Sequence, residues 1–210
     1  RQMCIRDRFW GYPDASVCFC EDKYVKNDYV AEYYNTISAF SYILVGMFYY
    51  KTKLKKIGTS IILLGIGTCV LHCTLRYYGQ IFDEGAMLVL SFNIINKIRD
   101  RQNLQEFSRK YFYLLFVFYL LFHTKFYMFI SIFSSLQIYT YYLIKYRENK
   151  DNSKSNIYIS SYINIFSFSL FCWILDQLFC EYVKQFHLHA IWHIGTSISL
   201  FIGLVPFLIN

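Results

Sequence analysis

The chain has 210 residues, 56% of them hydrophobic and 21% aromatic, and a formal net charge of +7. That length suits one globular domain, but the apolar residues fall into long runs, which points to a bilayer as the solvent. The basic residues lie between those runs and form no continuous patch, so nucleic acid is set aside and membrane lipids are the expected surroundings. No obligate protein partner is implied.

Residues Arg1 to Arg8 do not begin with methionine and lack the apolar core of a signal peptide, so residues 1–8 are read as a non-native or disordered leader. Residues 9–31 are aromatic, cysteine-containing and acidic, with Trp10 suited to an interface, and read as an ordered lumenal segment. From residue 32 to residue 210 a single membrane domain is expected. Runs of about 17 to 23 residues with few charges give seven spans: Glu32 to Tyr50, Gly58 to Leu75, Phe82 to Asn96, Phe107 to His123, Phe126 to Ile144, Ile157 to Phe179 and His189 to Ile209. The third and fourth are the shortest, and six spans would also fit. Asp151 to Asn156 reads as a polar loop. The links after the first, third and fifth runs are rich in lysine and arginine (Lys51, Lys53, Lys55, Lys56; Lys97, Arg99, Arg101, Arg109, Lys110; Lys145, Arg147, Lys150, Lys154). The alternate links hold only Arg76, Lys125 and Lys184. The positive-inside rule then puts the N-terminus on the lumenal side and the C-terminus in the cytosol. Cys69, Cys73 and Cys172 fall inside spans as packing residues. Cys20 and Cys180 share the oxidising side, where a bridge and two free thiols are equally open.

The first run opens with Glu32 and Asn35, three apart on one helical face, a pair that could bind a cation, cap a polar pocket or simply be solvated at the interface. In the second run Thr68 sits one turn before His72, and a hydroxyl there could serve a site or bond back to its own helix. Asp83 and Glu84 stand near the start of the third run, where the helix dipole alone could account for them. Asp176 in the sixth run is open to helix pairing or to lining a site. The last run opens with His189 and His193, an i,i+4 pair on one face that can give two ligands to one metal. His187 and His123 lie at segment ends, which leaves His72 as the third histidine within apolar sequence. His72, Asp83, His189 and His193 all fall at the same depth of the bilayer. Independent core polar residues have no reason to share a depth, so a three-histidine metal site, with zinc as the ion, is expected.

At these residues the chain resembles the alkaline ceramidases, members of a wider superfamily of seven-span hydrolases that includes the adiponectin receptors. The resemblance is carried by Phe9-Trp10-Gly11, Cys20-Glu21, Tyr24, Ala31-Glu32 with Asn35-Thr36, His72 with Thr74-Leu75, Gln80 with Asp83-Glu84, Asp176 with Phe179-Cys180-Glu181, and His189 with Trp192-His193. It implies an all-α seven-transmembrane bundle with an intramembrane zinc held by His72, His189 and His193, leaving a fourth position for water that Asp83 would hydrogen-bond. It also implies hydrolysis of the ceramide amide to a sphingoid base and a fatty acid, in an endoplasmic reticulum or Golgi membrane, with a disulfide between Cys20 and Cys180. Thr68 stands where the family usually has serine and keeps a hydroxyl for a developing oxyanion. The family's calcium site falls on Cys18, Phe19, Glu21, Lys23 and Glu32. Here Cys18 and Lys23 replace side-chain oxygens, and an ammonium between the carboxylates of Glu21 and Glu32 could take the place of calcium. Two alternatives stand beside the ceramide amidase: a hydrolase of the same superfamily acting on another lipid ester or amide, and a non-catalytic seven-span receptor or scaffold with a structural zinc.

Overall fold

The computed structural model describes residues 9–122, 124–148 and 154–209. The leader at residues 1–8, His123 and residues 149–153 of the polar loop and basic link lie outside the described residues. Regular structure is helical throughout: α1 (Tyr33–Ser38), α2 (Phe40–Tyr50), α3 (Lys55–Thr74), α4 (Tyr77–Arg101), α5 (Arg109–Leu121), α6 (Phe126–Glu148), α7 (Lys154–Leu178), α8 (Cys180–Val183), a 3₁₀ turn at Lys184–Phe186, α9 (Leu188–Leu204) and α10 (Pro206–Ile209). Three of these stretches are long and apolar enough to cross a membrane: Lys55–Thr74, Asn156–Leu178 and Leu188–Ile209. Outward faces are apolar as well, with Leu44 on α2, Tyr113 and Leu121 on α5 and Phe168 on α7 all exposed, as suits a surface solvated by hydrocarbon.

Each apolar run expected from the sequence carries helix, but the boundaries differ for physical reasons. The first run is two helices, because the chain re-starts at Ala39 between α1 and α2. The third begins at Tyr77 rather than Phe82 and continues to Arg101 rather than Asn96. Its early start comes from a two-residue turn: Leu75 takes a left-handed conformation (φ 52°) that ends α3, and Arg76 is extended. The helix of the fourth run, α5, has only 13 residues, about 20 Å of rise against a hydrocarbon core of about 30 Å. Helix α9 stops at Leu204, two residues before Pro206, whose ring cannot continue the helical hydrogen-bond ladder.

Segment 9–31 forms no regular helix and instead supplies caps to its neighbours. Asp14 Oδ1 accepts the backbone N–H of Tyr77 at 2.5 Å, and the Asp14 and Ala15 N–H groups donate to the carbonyl of Leu75. Ala31 and Glu32 donate their N–H groups to the carbonyls of Cys73 and His72, two of the groups a helix end leaves unpaired. Farther along the chain, Cys20 N–H donates to Asp176 Oδ2 at 3.2 Å. These bonds tie one irregular segment to the ends of α3, α4 and α7.

The two largest parts of the interior meet along α4. One is an aliphatic and tyrosine core of Tyr42, Tyr49, Ile57, Ile61, Leu64 and Leu204, joining α2, α3 and α9 to α4. The other, built on Leu88, Ile95, Phe112, Tyr119, Phe129 and Leu136, joins α4 to α5 and α6. Helices α3 and α4 approach closely enough that a Cβ on Gly67 would lie 2.9 Å from Asp83 Cα, and one on Gly79 would lie 2.8 Å from Leu71 Cα. No larger residue fits at either crossing.

Candidate functional site

Three imidazoles meet where α3 and α9 come together. His72 stands near the C-terminal end of α3 and His189 and His193 in the first turns of α9, and one ring nitrogen from each lies within 4.8 Å of the others. All three residues are buried, at 1%, 4% and 3% exposure, so burial that would otherwise be costly for ring nitrogens is concentrated at one point. The ring centroids are 4.6 to 5.0 Å apart. Among the described residues this is the group of histidine, cysteine and acidic side chains able to hold an ion.

Neighbouring groups fix which nitrogen faces inward. His72 Nδ1 is 2.5 Å from Glu32 Oε2, and since a carboxylate only accepts, the proton lies on Nδ1 and the lone pair on Nε2. His193 Nδ1 is 2.8 Å from Ser38 Oγ and 3.2 Å from the Asn35 carbonyl, which again places the proton on Nδ1. His189 Nδ1 is buried and has no hydrogen-bond partner among the described residues. Two imidazoles oriented through Nδ1, and a third with an unsatisfied nitrogen, fit the donor set and the outer support that a metal ion demands.

Thr68 and Asp83 lie beside the imidazoles. Thr68 Oγ1 is 2.8 Å from the Leu64 carbonyl and 2.5 Å from Asp83 Oδ1. One hydroxyl proton serves one acceptor at a time, so the helix bond and the site bond are both available to it. The dipole account of the Asp83–Glu84 pair does not hold, because α4 starts at Tyr77 and has no acidic residue in its first turn. The two acids instead point apart. Asp83 faces α3, whereas Glu84 accepts from Tyr119 Oη at 2.7 Å and from Gln80 Nε2 at 2.8 Å.

The imidazoles and Asp83 open onto a cavity of about 310 Å³ walled by Leu64, Met87, Phe129, Phe133, Phe166 and Trp192. Phe19 covers the other side, its ring 4.7 Å from that of His72 and 4.0 Å from that of His189. An apolar chamber with a few polar groups at one end is the usual form of a site for a hydrocarbon-bearing ligand.

The remaining expected residues are placed as follows. Cys20 and Cys180 have Cα atoms 5.3 Å apart, within the reach of a disulfide. Cys69 and Cys73 are half-buried and Cys172 is buried. The His187 ring lies tilted against that of Tyr34, 4.1 Å away, and stands apart from the three-histidine group. Asp176 is buried and holds the backbone of Cys20. Cys18 is exposed. The ammonium of Lys23 does not lie between two carboxylates: it pairs with that of Glu32 and with the backbone carbonyl of Glu21. The Glu21 carboxylate is turned to the N-terminus of α1, where it accepts from Tyr34 N–H at 2.7 Å and Asn35 N–H at 2.9 Å. Burial raises the Glu21 carboxyl above its ordinary range, and those two bonds oppose the rise. Sequence reasoning missed Ser38 as the partner of His193 and left Glu32 without its link to His72. Neither contact has a signal in local spacing, since each depends on how α1 meets another helix.

Comparison with known proteins gives one consistent result. The family model described as Ceramidase matches residues 11–209. Alkaline ceramidase 1 of Mus musculus is 26% identical, over 93% of this chain and 80% of that protein. The alkaline ceramidase of Arabidopsis thaliana is 26% identical over 91% of this chain and 82% of its own. That of Drosophila melanogaster is 26% identical over 92% and 76%.

Proposed function

The chain belongs to the ceramidase family, and from that premise we propose that it is a zinc-dependent intramembrane amidase that hydrolyses ceramide to a sphingoid base and a free fatty acid. The observation that carries this reading is the opening of three buried imidazoles and one half-buried carboxylate onto a single apolar cavity. His72, His189 and His193 would hold the zinc, a set of three neutral nitrogen ligands that leaves a coordination position open. When bound, zinc supplies Lewis acidity toward water and toward the amide carbonyl.

The chain's own groups account for the rest. Asp83 Oδ1, half-buried beside the imidazoles, accepts the proton that water loses as its oxygen attacks the carbonyl carbon. It returns that proton to the amide nitrogen as the C–N bond breaks, so that a neutral amine leaves. Thr68 Oγ1 turns its proton from Asp83 to the carbonyl oxygen as negative charge builds there. Phe129, Phe133, Phe166 and Trp192 hold hydrocarbon and keep bulk water away, while Phe19 closes the other side.

The membrane arrangement belongs to the same proposal. Seven helical segments, with α1–α2 and α9–α10 each counted as one, would cross the bilayer, the short α5 among them. Residues 9–31 would lie on the lumenal side of an endoplasmic reticulum or Golgi membrane as the cover of the domain at residues 32–210, with the C-terminus cytosolic. A disulfide between Cys20 and Cys180 would staple the cover to the α7–α9 connection. The test is incubation of purified, zinc-loaded protein with a panel of ceramides, scoring free sphingoid base by mass spectrometry. Release of sphingoid base is expected. No product from any ceramide, with product from another lipid amide or ester, would replace the substrate and keep the chemistry.

A further inference from the structure

Segment 9–31 closes over the imidazoles around one buried ammonium. Lys23 is 8% exposed, and its Nζ donates to Phe19 O at 2.7 Å, to Glu21 O at 2.8 Å and to Glu32 Oε1. Three acceptors use all three N–H bonds of the group. The family resemblance implies calcium among Cys18, Phe19, Glu21, Lys23 and Glu32, and the residues present do not fit that ion. Calcium takes six to eight oxygen ligands. Here three of the oxygens are already taken by Lys23. Cys18 is exposed and has no side-chain oxygen, and both oxygens of the Glu21 carboxylate are engaged by backbone N–H groups of α1. The ammonium itself fills the place a cation would take.

Glu32 carries the contact inward. Its Oε1 meets Lys23, while its Oε2 meets His72 Nδ1 at 2.5 Å and accepts from Asn35 Nδ2 at 3.1 Å. A fully buried carboxylate needs a compensating charge, and removing that charge is strongly unfavourable. We propose that Lys23 is a tethered cation standing in for a bound divalent ion, which docks segment 9–31 and fixes Glu32 against His72 so that the imidazoles assemble without calcium. Lys23 is a positioning residue, acting on His72 through Glu32 and touching no reacting atom. Its effect on metal affinity rests on the zinc reading above; the calcium independence does not.

The test uses the whole chain in detergent, with thermal unfolding followed by tryptophan fluorescence and zinc affinity measured by competition with a chromophoric chelator. Each is run in millimolar calcium and in a calcium-selective chelator. The unmutated chain should show the same midpoint and the same zinc affinity in both. Lys23→Asn should lose about tenfold in zinc affinity, as expected when an outer partner of a metal ligand is removed. The double variant Cys18→Asp, Lys23→Asn restores side-chain oxygens to the cage and should recover affinity only when calcium is added. A wild-type midpoint or zinc affinity that climbs with calcium overturns the proposal. So does wild-type zinc affinity in Lys23→Asn, or a double variant indifferent to calcium. If the variants do not fold, the calcium comparison on the unmutated chain still decides. Failure of the amidase reading shows separately, as absent zinc or absent sphingoid base in the unmutated chain, and neither result changes the calcium dependence of the midpoint.

Discussion

Helix α4 is packed by opposite means on its two sides. Toward α3 the contact is backbone on backbone, with Gly67 against Asp83 and Gly79 against Leu71. Toward α5 and α6 it is ring on ring, with Phe92 stacked on Phe112 at 4.3 Å and Tyr119 near Phe129 at 6.2 Å. Consecutive residues divide between the sides, Asp83 joining Thr68 on α3 and Glu84 joining Tyr119 on α5. Backbone contacts leave no rotamer to adjust, whereas aromatic side chains can repack around a changed volume. The groups proposed to react stand on the side without slack, and much of the cavity wall stands on the side with it.

The most severe break of that contrast is removal of a ligand from the rigid side. His72→Ala, His189→Ala and His193→Ala should each reduce bound zinc from about one per chain to near none, because two protein ligands hold zinc poorly. Metal analysis of the purified variants decides, and full occupancy in His189→Ala would exclude the site. Next, Asp83→Asn should retain the metal and lose about 10² to 10⁴ in turnover, since the amide keeps the shape but accepts no proton. Gly67→Ala removes no side chain of the site and should still lose about 10² in turnover, because its Cβ would push Asp83 aside by up to about an ångström. Wild-type rates in that variant would show that the α3–α4 contact has slack after all. On the aromatic side, Phe133→Ala should change selectivity more than rate, favouring longer hydrocarbon chains by about tenfold in kcat/KM over a ceramide series. The smallest effect is expected from Gly85→Ala, where a Cβ would meet Phe116 at an ordinary 3.5 Å. Turnover should stay within about twofold, and the thermal midpoint should rise, because alanine stabilises a helix interior by ~0.5 to 1 kcal/mol relative to glycine.

What could be read from the amino-acid order follows the same divide. Helical character and the approximate place of each segment were legible in the apolar runs, because a bilayer-compatible helix must declare itself by composition. The closeness of His72 to His189 and His193 followed from the i,i+4 pair and from shared depth, both properties of a chain taken one helix at a time. The pairing of Thr68 with Asp83 was not legible, since it depends on Gly67 allowing two backbones to meet. The start of α4 at Tyr77 was hidden because the cap on that helix comes from Asp14, remote in sequence. The same holds for Glu21, whose carboxylate reads as a cation ligand by type but is spent on the N-terminus of α1.

The span of the chain across which the three imidazoles are drawn sets an order of events during synthesis. His72 is made early, but His189 and His193 lie in α9, and the Cys20 backbone finds its partner Asp176 at a separation of 156 residues. Contacts of that separation close late, after the entropy of a long loop has been overcome. A nascent chain stopped before α9 therefore carries one imidazole of three, and the site becomes complete only once α9 has been made. An ion held by all three imidazoles would be loaded only after α9 has joined α3.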